Sequence, residues 1–249
     1  MIAETIVGWR EACEDVAGAI LRETGLTETP VDAFSVAAAL GLDVILDRTL
    51  LGGTRFKQLG GRPTIFLKPD AADERQHWAL AKEIGERSVD RVLTSLGESG
   101  KVGGRLREQI ATELAARLML PGRAFHASLD EFDGDLHQMK DRFSTASYEL
   151  ILLAMLRWPE WSVVTLFDDH QVTRRFSNRG PAPKTSPLEH EVWAEVHRTG
   201  RPVERTEDGV RVQGWPVHQD GWRREMIRTT AVPRGDRQLD LLAALEAAA

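Results

Sequence analysis

Hydrophobic periodicity changes once along this 249-residue chain, at Trp158-Pro159, and that change limits what can be built on either side. Upstream, apolar residues recur at spacings of three and four, the mark of helices with one packed face. Trp9, Cys13, Val16 and Ile20 place a helix over 3–24, stopped by Gly25. Pro30-Val31-Asp32 opens a short helix that Gly41 ends. Two β-like runs, 43–46 and 64–68, enclose the pairs Gly52-Gly53 and Gly60-Gly61, the punctuation of turns and hairpins. A helix over 73–93 carries Trp78, Ala81, Gly85, Val89 and Val92 on one stripe. After an exposed loop at 97–104, another runs over 105–120 and stops at Pro121. A helical pair at 135–142 and 148–156 closes this half.

Downstream the period becomes two. Residues 161–167 and 171–177 flank Asp168-Asp169-His170 as a hairpin. Ser186-Pro187-Leu188-Glu189 is a capping box with proline at the first helical position, so a helix runs to Thr199 before Gly200. Segments 201–205, 210–217 and 222–232 read as three further strands, separated by Asp208-Gly209 and Asp220-Gly221. The class is α+β: a helical domain with a small antiparallel sheet, followed by a smaller antiparallel β-sheet domain with one helix.

Composition removes several functions. No apolar run approaches the roughly 18–20 residues of a membrane span, and the N-terminus mixes acids into its apolar residues, unlike a signal peptide. One cysteine excludes an intrachain disulfide framework and a cysteine-rich zinc finger, and is compatible with a reducing cytoplasm, the expected location. Net charge of −6 gives no global case for nucleic acid. Seven histidines are enough for a metal site if they stand in the right places.

The informative stretch is Lys82-Glu83-Ile84-Gly85-Glu86. Taken alone it is a charged helix turn, with Lys82 and Glu86 four apart and able to pair weakly. Its surroundings change the reading. Pro30-Val31-Asp32 with its short helix, the glycine-flanked hairpin ending Thr64-Ile65-Phe66-Leu67, and Arg75-Gln76-His77-Trp78-Ala79-Leu80-Ala81 precede it in order. Glu108-Gln109-Ile110-Ala111-Thr112 and Ala115-Ala116-Arg117-Leu118-Met119-Leu120-Pro121 follow it. Over roughly 15–160, and more loosely to 232, the chain resembles the ImmA/IrrE family of zinc-peptidase-like, gluzincin-type proteins. Members typically read His-Glu-x-Gly-His where this chain has Lys82 to Glu86. They then carry Glu-x-x-Ala-Asn-x-Phe-Ala-Ala-x-Leu-Leu-Met-Pro where it has Glu108 to Pro121.

The resemblance implies a peptidase-like domain over 1–125, a helix-turn-helix-like segment over 126–159, an antiparallel α+β domain over 160–235, and a helical or frayed tail over 236–249. In an HExxH site, two histidines one helical turn apart bind one metal ion, and the intervening glutamate polarises the attacking water. The resemblance places Glu83 at the general-base position, as a relict, and Lys82, Glu86 and Glu108 at the ligand positions. A protonated lysine has no lone pair and repels a cation. Two carboxylates without an imidazole suit harder ions than zinc. No metal or other cofactor is therefore expected; zinc belongs only to the alternative of an active metallo-endopeptidase with atypical ligands, cleaving a transcriptional repressor. The Lys82 ammonium is expected to take the place of the metal, buried and paired with Glu108, Glu86 or both.

No other residue restores the site. His77 lies about 140° around the helix from Lys82. His190-Glu191 has alanine at 194, so it opens no HExxH, and His190 and His197 read as surface or structural. His126, His137, His170 and His218 read as ordinary polar residues, and Cys13 as a packed core thiol. Arg174-Arg175 and Arg223-Arg224 offer a local basic patch at most. The second helix of the 135–156 pair is acidic and then almost wholly apolar, so it reads as packed against the peptidase-like core rather than inserted in DNA. The function expected is that of a pseudo-peptidase binding a regulatory protein partner, such as a helix-turn-helix repressor or a stress or mobile-element regulator, with no nucleic-acid or membrane partner. A small-molecule sensor working through the C-terminal domain is the remaining alternative.

Overall fold

Left-handed Gly8 (φ 80) precedes α1 (Trp9–Thr24), and Gly25 (φ 72) ends it, donating its N–H to the Arg22 carbonyl. Leu26 bonds back to Leu21, completing the αL stop that only glycine adopts without strain. Asp32 caps α2 (Ala33–Ala39) by accepting from the N–H groups of Phe34 and Ser35. The structure, a computed structural model, describes residues 7–70, 72–98, 102–218 and 221–232. Two compact units divide it, Met1–Ser147 and Tyr148–Ala249. The expected helix start at residue 3, part of the 97–104 loop, residue 220 of the last turn and the 236–249 tail lie outside the described residues.

In the first unit, β1 (Asp43–Leu46), β2 (Thr54–Leu59) and β3 (Arg62–Leu67) form a sheet in the order β1-β3-β2. The Gly60-Gly61 turn, φ 58 and 81, folds β2 onto β3 as a tight hairpin. That hairpin returns β3 between the other two strands, so β3 runs parallel to β1. The small sheet is therefore mixed, where the sequence led us to expect an antiparallel one. Strand β2 gives no periodic signal because it lies on the sheet edge with nearly every residue exposed. Helices α3 (Asp73–Ser95), α4 (Gly104–Met119), α5 (Gly122–Glu131) and α6 (Leu136–Arg142) follow. The core gathers Ile20, Val36, Ile65, Leu80, Ile84, Ile110 and Leu114, all essentially inaccessible. Helix α5 is absent from the sequence reading, which stops at Pro121. Its first N–H, from Gly122, is accepted at 2.9 Å by Glu14, a partner 108 residues away.

In the second unit, α7 (Tyr148–Ala154) and a 3₁₀ turn, Met155–Arg157, lead into five strands. These are β4 (Ser162–Asp168), β5 (Gln171–Ser177), β6 (Val203–Glu207), β7 (Val210–Pro216) and β8 (Arg224–Ala231), in the order β5-β4-β8-β7-β6. Every pairing is antiparallel. Helix α8 (Pro187–Thr199) begins at the capping box, Ser186 and Glu189 each bonding the other's backbone. It lays Val192 and Val196 against Phe167, Val212 and Ile227. A Cβ at Gly214 would stand 2.8 Å from Val192, Val196 and Ile227, so glycine lets the helix seat on β7. Glu149 in the first turn of α7 accepts from Arg174 and Arg224 of the sheet. Among the described residues no helix is long and apolar enough to cross a membrane.

Beneath α8, the buried Glu189 carboxylate receives both terminal nitrogens of Arg175 at 3.0 Å and the Thr229 hydroxyl at 2.5 Å. Glu189→Ala strands the Arg175 charge in a site where its own side chain is only 12% exposed, so a loss of about 3–5 kcal/mol is expected in urea unfolding. Hydrogen bonding from Arg224 holds the Asp168 carboxyl below its ordinary 3.8, with Thr173 adding to the effect. Because the folded value is the lower one, this stabilisation is present above the unfolded pKa and disappears as the pH falls through the folded value. The melting temperature should decline below about pH 4, and Asp168→Asn should flatten that acid limb.

Candidate functional site

Helix α3 presents Lys82, Glu83 and Glu86, while α4 presents Arg107 and Glu108 across from them. The two helices can approach so closely because of Gly85. A Cβ there would stand 2.4 Å from the Ala111 carbonyl oxygen and 3.4 Å from the Ala115 nitrogen. Small residues on α4, Ala111 and Ala115, meet the glycine, so backbone lies almost on backbone. The glycine of the motif is thus a packing requirement of this helix pair, whatever stands at its charged positions.

The ammonium of Lys82 lies 3.8 Å from Glu108 Oε1, an ion pair beyond hydrogen-bond distance. The two side chains are 37% and 74% exposed. The expectation of a buried cation is corrected accordingly: the cleft is open to solvent here, and Lys82 needs no desolvated partner. Nor do Lys82 and Glu86 share this site. Glu86 accepts from Arg107 Nε at 2.6 Å, while the same guanidinium reaches Asp90 at 2.9 Å and the Glu86 carbonyl at 3.3 Å. Glu83 accepts from the Thr54 hydroxyl at 2.5 Å, tying the start of β2 to α3. Nearby, the Arg87 guanidinium lies 3.9 Å from the centre of the Phe56 ring.

Sequence reasoning brought together Lys82, Glu86 and Glu108; the fold keeps the first and last and assigns the middle one to Arg107. Arg107 was missed, along with Thr54. Neither carries a local signal, since Arg107 meets α3 only through the helix crossing. Zinc does not fit this donor set. One ligand position carries an ammonium, the second a carboxylate already engaged by a guanidinium, and the third an exposed glutamate facing the ammonium. His77 does not replace them: its Nδ1 accepts from the Ala33 N–H at 3.3 Å and its ring meets Phe34 edge-on, fastening α2 to α3. Cys13 donates to the Ile110 carbonyl, and burial, with Glu113 beside it, pushes its thiol up to about 12, so it stays protonated and inert. The paired arginines of the sheet are also engaged, Arg175 by Glu189, Arg174 by Glu149, and Arg224 by Asp168 and Glu149.

A motif-bearing helix crossed by a second helix that supplies a glutamate, beside a small mixed sheet, defines a gluzincin-like peptidase scaffold. Residues 37–154 match the IrrE N-terminal-like domain, which bears out the resemblance to the ImmA/IrrE family over that stretch. A solved structure of a Mycobacterium tuberculosis transcriptional regulator shares the fold, with a TM-score of 0.66 and 16% identity over 89% of this chain and 76% of that one. No curated protein shows significant sequence similarity.

Gly85→Ala tests the packing claim. Alanine gains about 1 kcal/mol of helix propensity. Overpacking costs about 1–3 kcal/mol, and more where the obstacle is backbone. A net loss of about 1–2 kcal/mol is expected in denaturant unfolding.

Proposed function

We propose that this protein is a peptidase scaffold that works without zinc at its motif, holding a regulatory protein partner rather than cutting it. The observation that carries this reading is the 3.8 Å pairing of Lys82 with Glu108, two of the positions at which the family holds its metal. The Arg107–Glu86 pair reinforces it by placing a second fixed cation at the remaining ligand position. Glu83 keeps the position of the general base, but the side chains beside it do not suit an ion that would acidify a water.

Binding needs a surface, and the sheet supplies one. Strand β2 ends the sheet, so its outer edge offers backbone donors and acceptors to an extended segment. Phe56 and Leu59 are 36% and 54% exposed along that strand, apolar surface that a partner would cover. Arg55, Lys57 and Arg87 give this edge a basic character, which suits a segment carrying acidic residues. The family resemblance makes a helix-turn-helix repressor or another regulator the partner class of choice. The Mycobacterium tuberculosis protein of the same fold, a transcriptional regulator, is in keeping with that class.

Restoring the ligands tests the reading. Lys82→His with Glu86→His should gain one equivalent of zinc, and Glu108→Gln in that background should remove it. Because Arg107 stays beside position 86, adding Arg107→Gln should tighten the uptake further. In the unaltered protein, Glu108→Gln should leave metal content unchanged. Zinc bound by the unaltered protein and lost in Glu108→Gln, together with cleavage of a repressor, would establish the active peptidase instead.

A further inference from the structure

Helix α8 covers a cluster of imidazoles that the proposed function does not use. Glu225 on β8 is fully buried, and its carboxylate accepts three N–H bonds. They come from Trp193 Nε1 at 3.1 Å, His197 Nδ1 at 2.7 Å and His218 Nε2 at 2.9 Å. A carboxylate only accepts, so each histidine must carry a proton on the nitrogen facing it. In the neutral imidazole the other nitrogen, Nε2 of His197, then holds a lone pair directed away from Glu225. A carboxylate orienting a histidine in this way is the support that metal-ligating imidazoles receive from their surroundings.

His170 brings the second imidazole. It sits in the β4–β5 turn with φ 71, after Asp169 with φ 45. Two left-handed residues in succession are what the two-residue turn of the β4–β5 hairpin requires, and histidine is among the residues enriched in that conformation. The His170 ring lies 4.3 Å from the His197 ring, centre to centre, with planes inclined by 56°. Trp193 flanks both rings, at 5.9 Å and 5.7 Å. Two imidazoles bound to one cation at about 2.0–2.1 Å have ring centres roughly 4.5–5 Å apart when their bonds meet at about 90–110°. The observed 4.3 Å lies just below that spacing. Among the described residues no group of three or more histidine, cysteine or carboxylate side chains is placed to hold a metal ion, so the pair would supply two protein ligands.

We infer that His170 and His197 form a second-unit site for a borderline divalent transition cation such as Zn2+ or Ni2+, with Glu225 orienting His197. Imidazole nitrogens suit these ions, in contrast to the lysine of the first unit.

Calorimetric titration of the full chain with Zn2+ and with Ni2+, after removal of adventitious metal by chelator, tests it. One equivalent is expected. His170→Asn keeps a residue that tolerates the left-handed turn and should weaken binding at least about tenfold, with an unchanged thermal melt in the absence of metal. Glu225→Gln should weaken it by about 10–100-fold. If the latter variant does not fold, His170→Asn decides the matter alone. Absence of uptake, uptake unchanged in His170→Asn, or uptake abolished by Glu108→Gln would each overturn the inference, the last by placing the ion in the first unit.

Discussion

The close crossing of α3 and α4 at Gly85 is the constraint on which the first unit depends. Any side chain at that position drives a carbon into the Ala111 carbonyl. With glycine there, Ile84, Leu80, Ile110 and Leu114 are buried completely, and the charged positions of α3 and α4 are fixed across a shared cleft. Close packing at this crossing thus maintains the framework of the first unit.

What has changed at those positions is the sign and the sharing of charge. A metal site concentrates positive charge at one point and surrounds it with lone pairs. Here two side-chain cations, Lys82 and Arg107, are spread along the helix crossing, each near its own carboxylate. The Lys82–Glu108 pair is loose and solvated, so it contributes little stability. Arg107 is different: it bridges Glu86, the Glu86 carbonyl and Asp90 and thereby braces the N-terminal part of α4 against α3. Arg107 is thus a structural clasp between the two helices.

How much of this was legible in the sequence depends on the range of the interaction. The helix stripe at Trp78, Ala81, Gly85, Val89 and Val92, the capping box at Ser186 and the two-residue turns are local patterns, and the elements they specify stand close to where the sequence put them. Strand β2 was invisible because an exposed edge carries no apolar alternation, and α5 because its cap comes from Glu14, far away in the chain. The motif positions came from the family resemblance, which could not tell that Arg107 takes Glu86 or that Lys82 remains half in water. Charges on long side chains choose partners after the helices have docked, and only the crossing geometry decides among them.

The two units treat buried charge in opposite ways, and this bears on where specific chemistry can reside. In the first, the charges at the helix crossing are open to water, where a lysine and a glutamate can coexist at 3.8 Å without demanding precise partners. In the second, Glu189 and Glu225 lie inside the structure and must have their lone pairs answered, which Arg175, Thr229, Trp193, His197 and His218 do with defined geometry. A desolvated carboxylate imposes orientation on everything that bonds to it, including the tautomer of an imidazole. Preorganised polar groups of the kind a ligand site requires therefore lie under α8, while the charges at the α3–α4 crossing are held loosely in water.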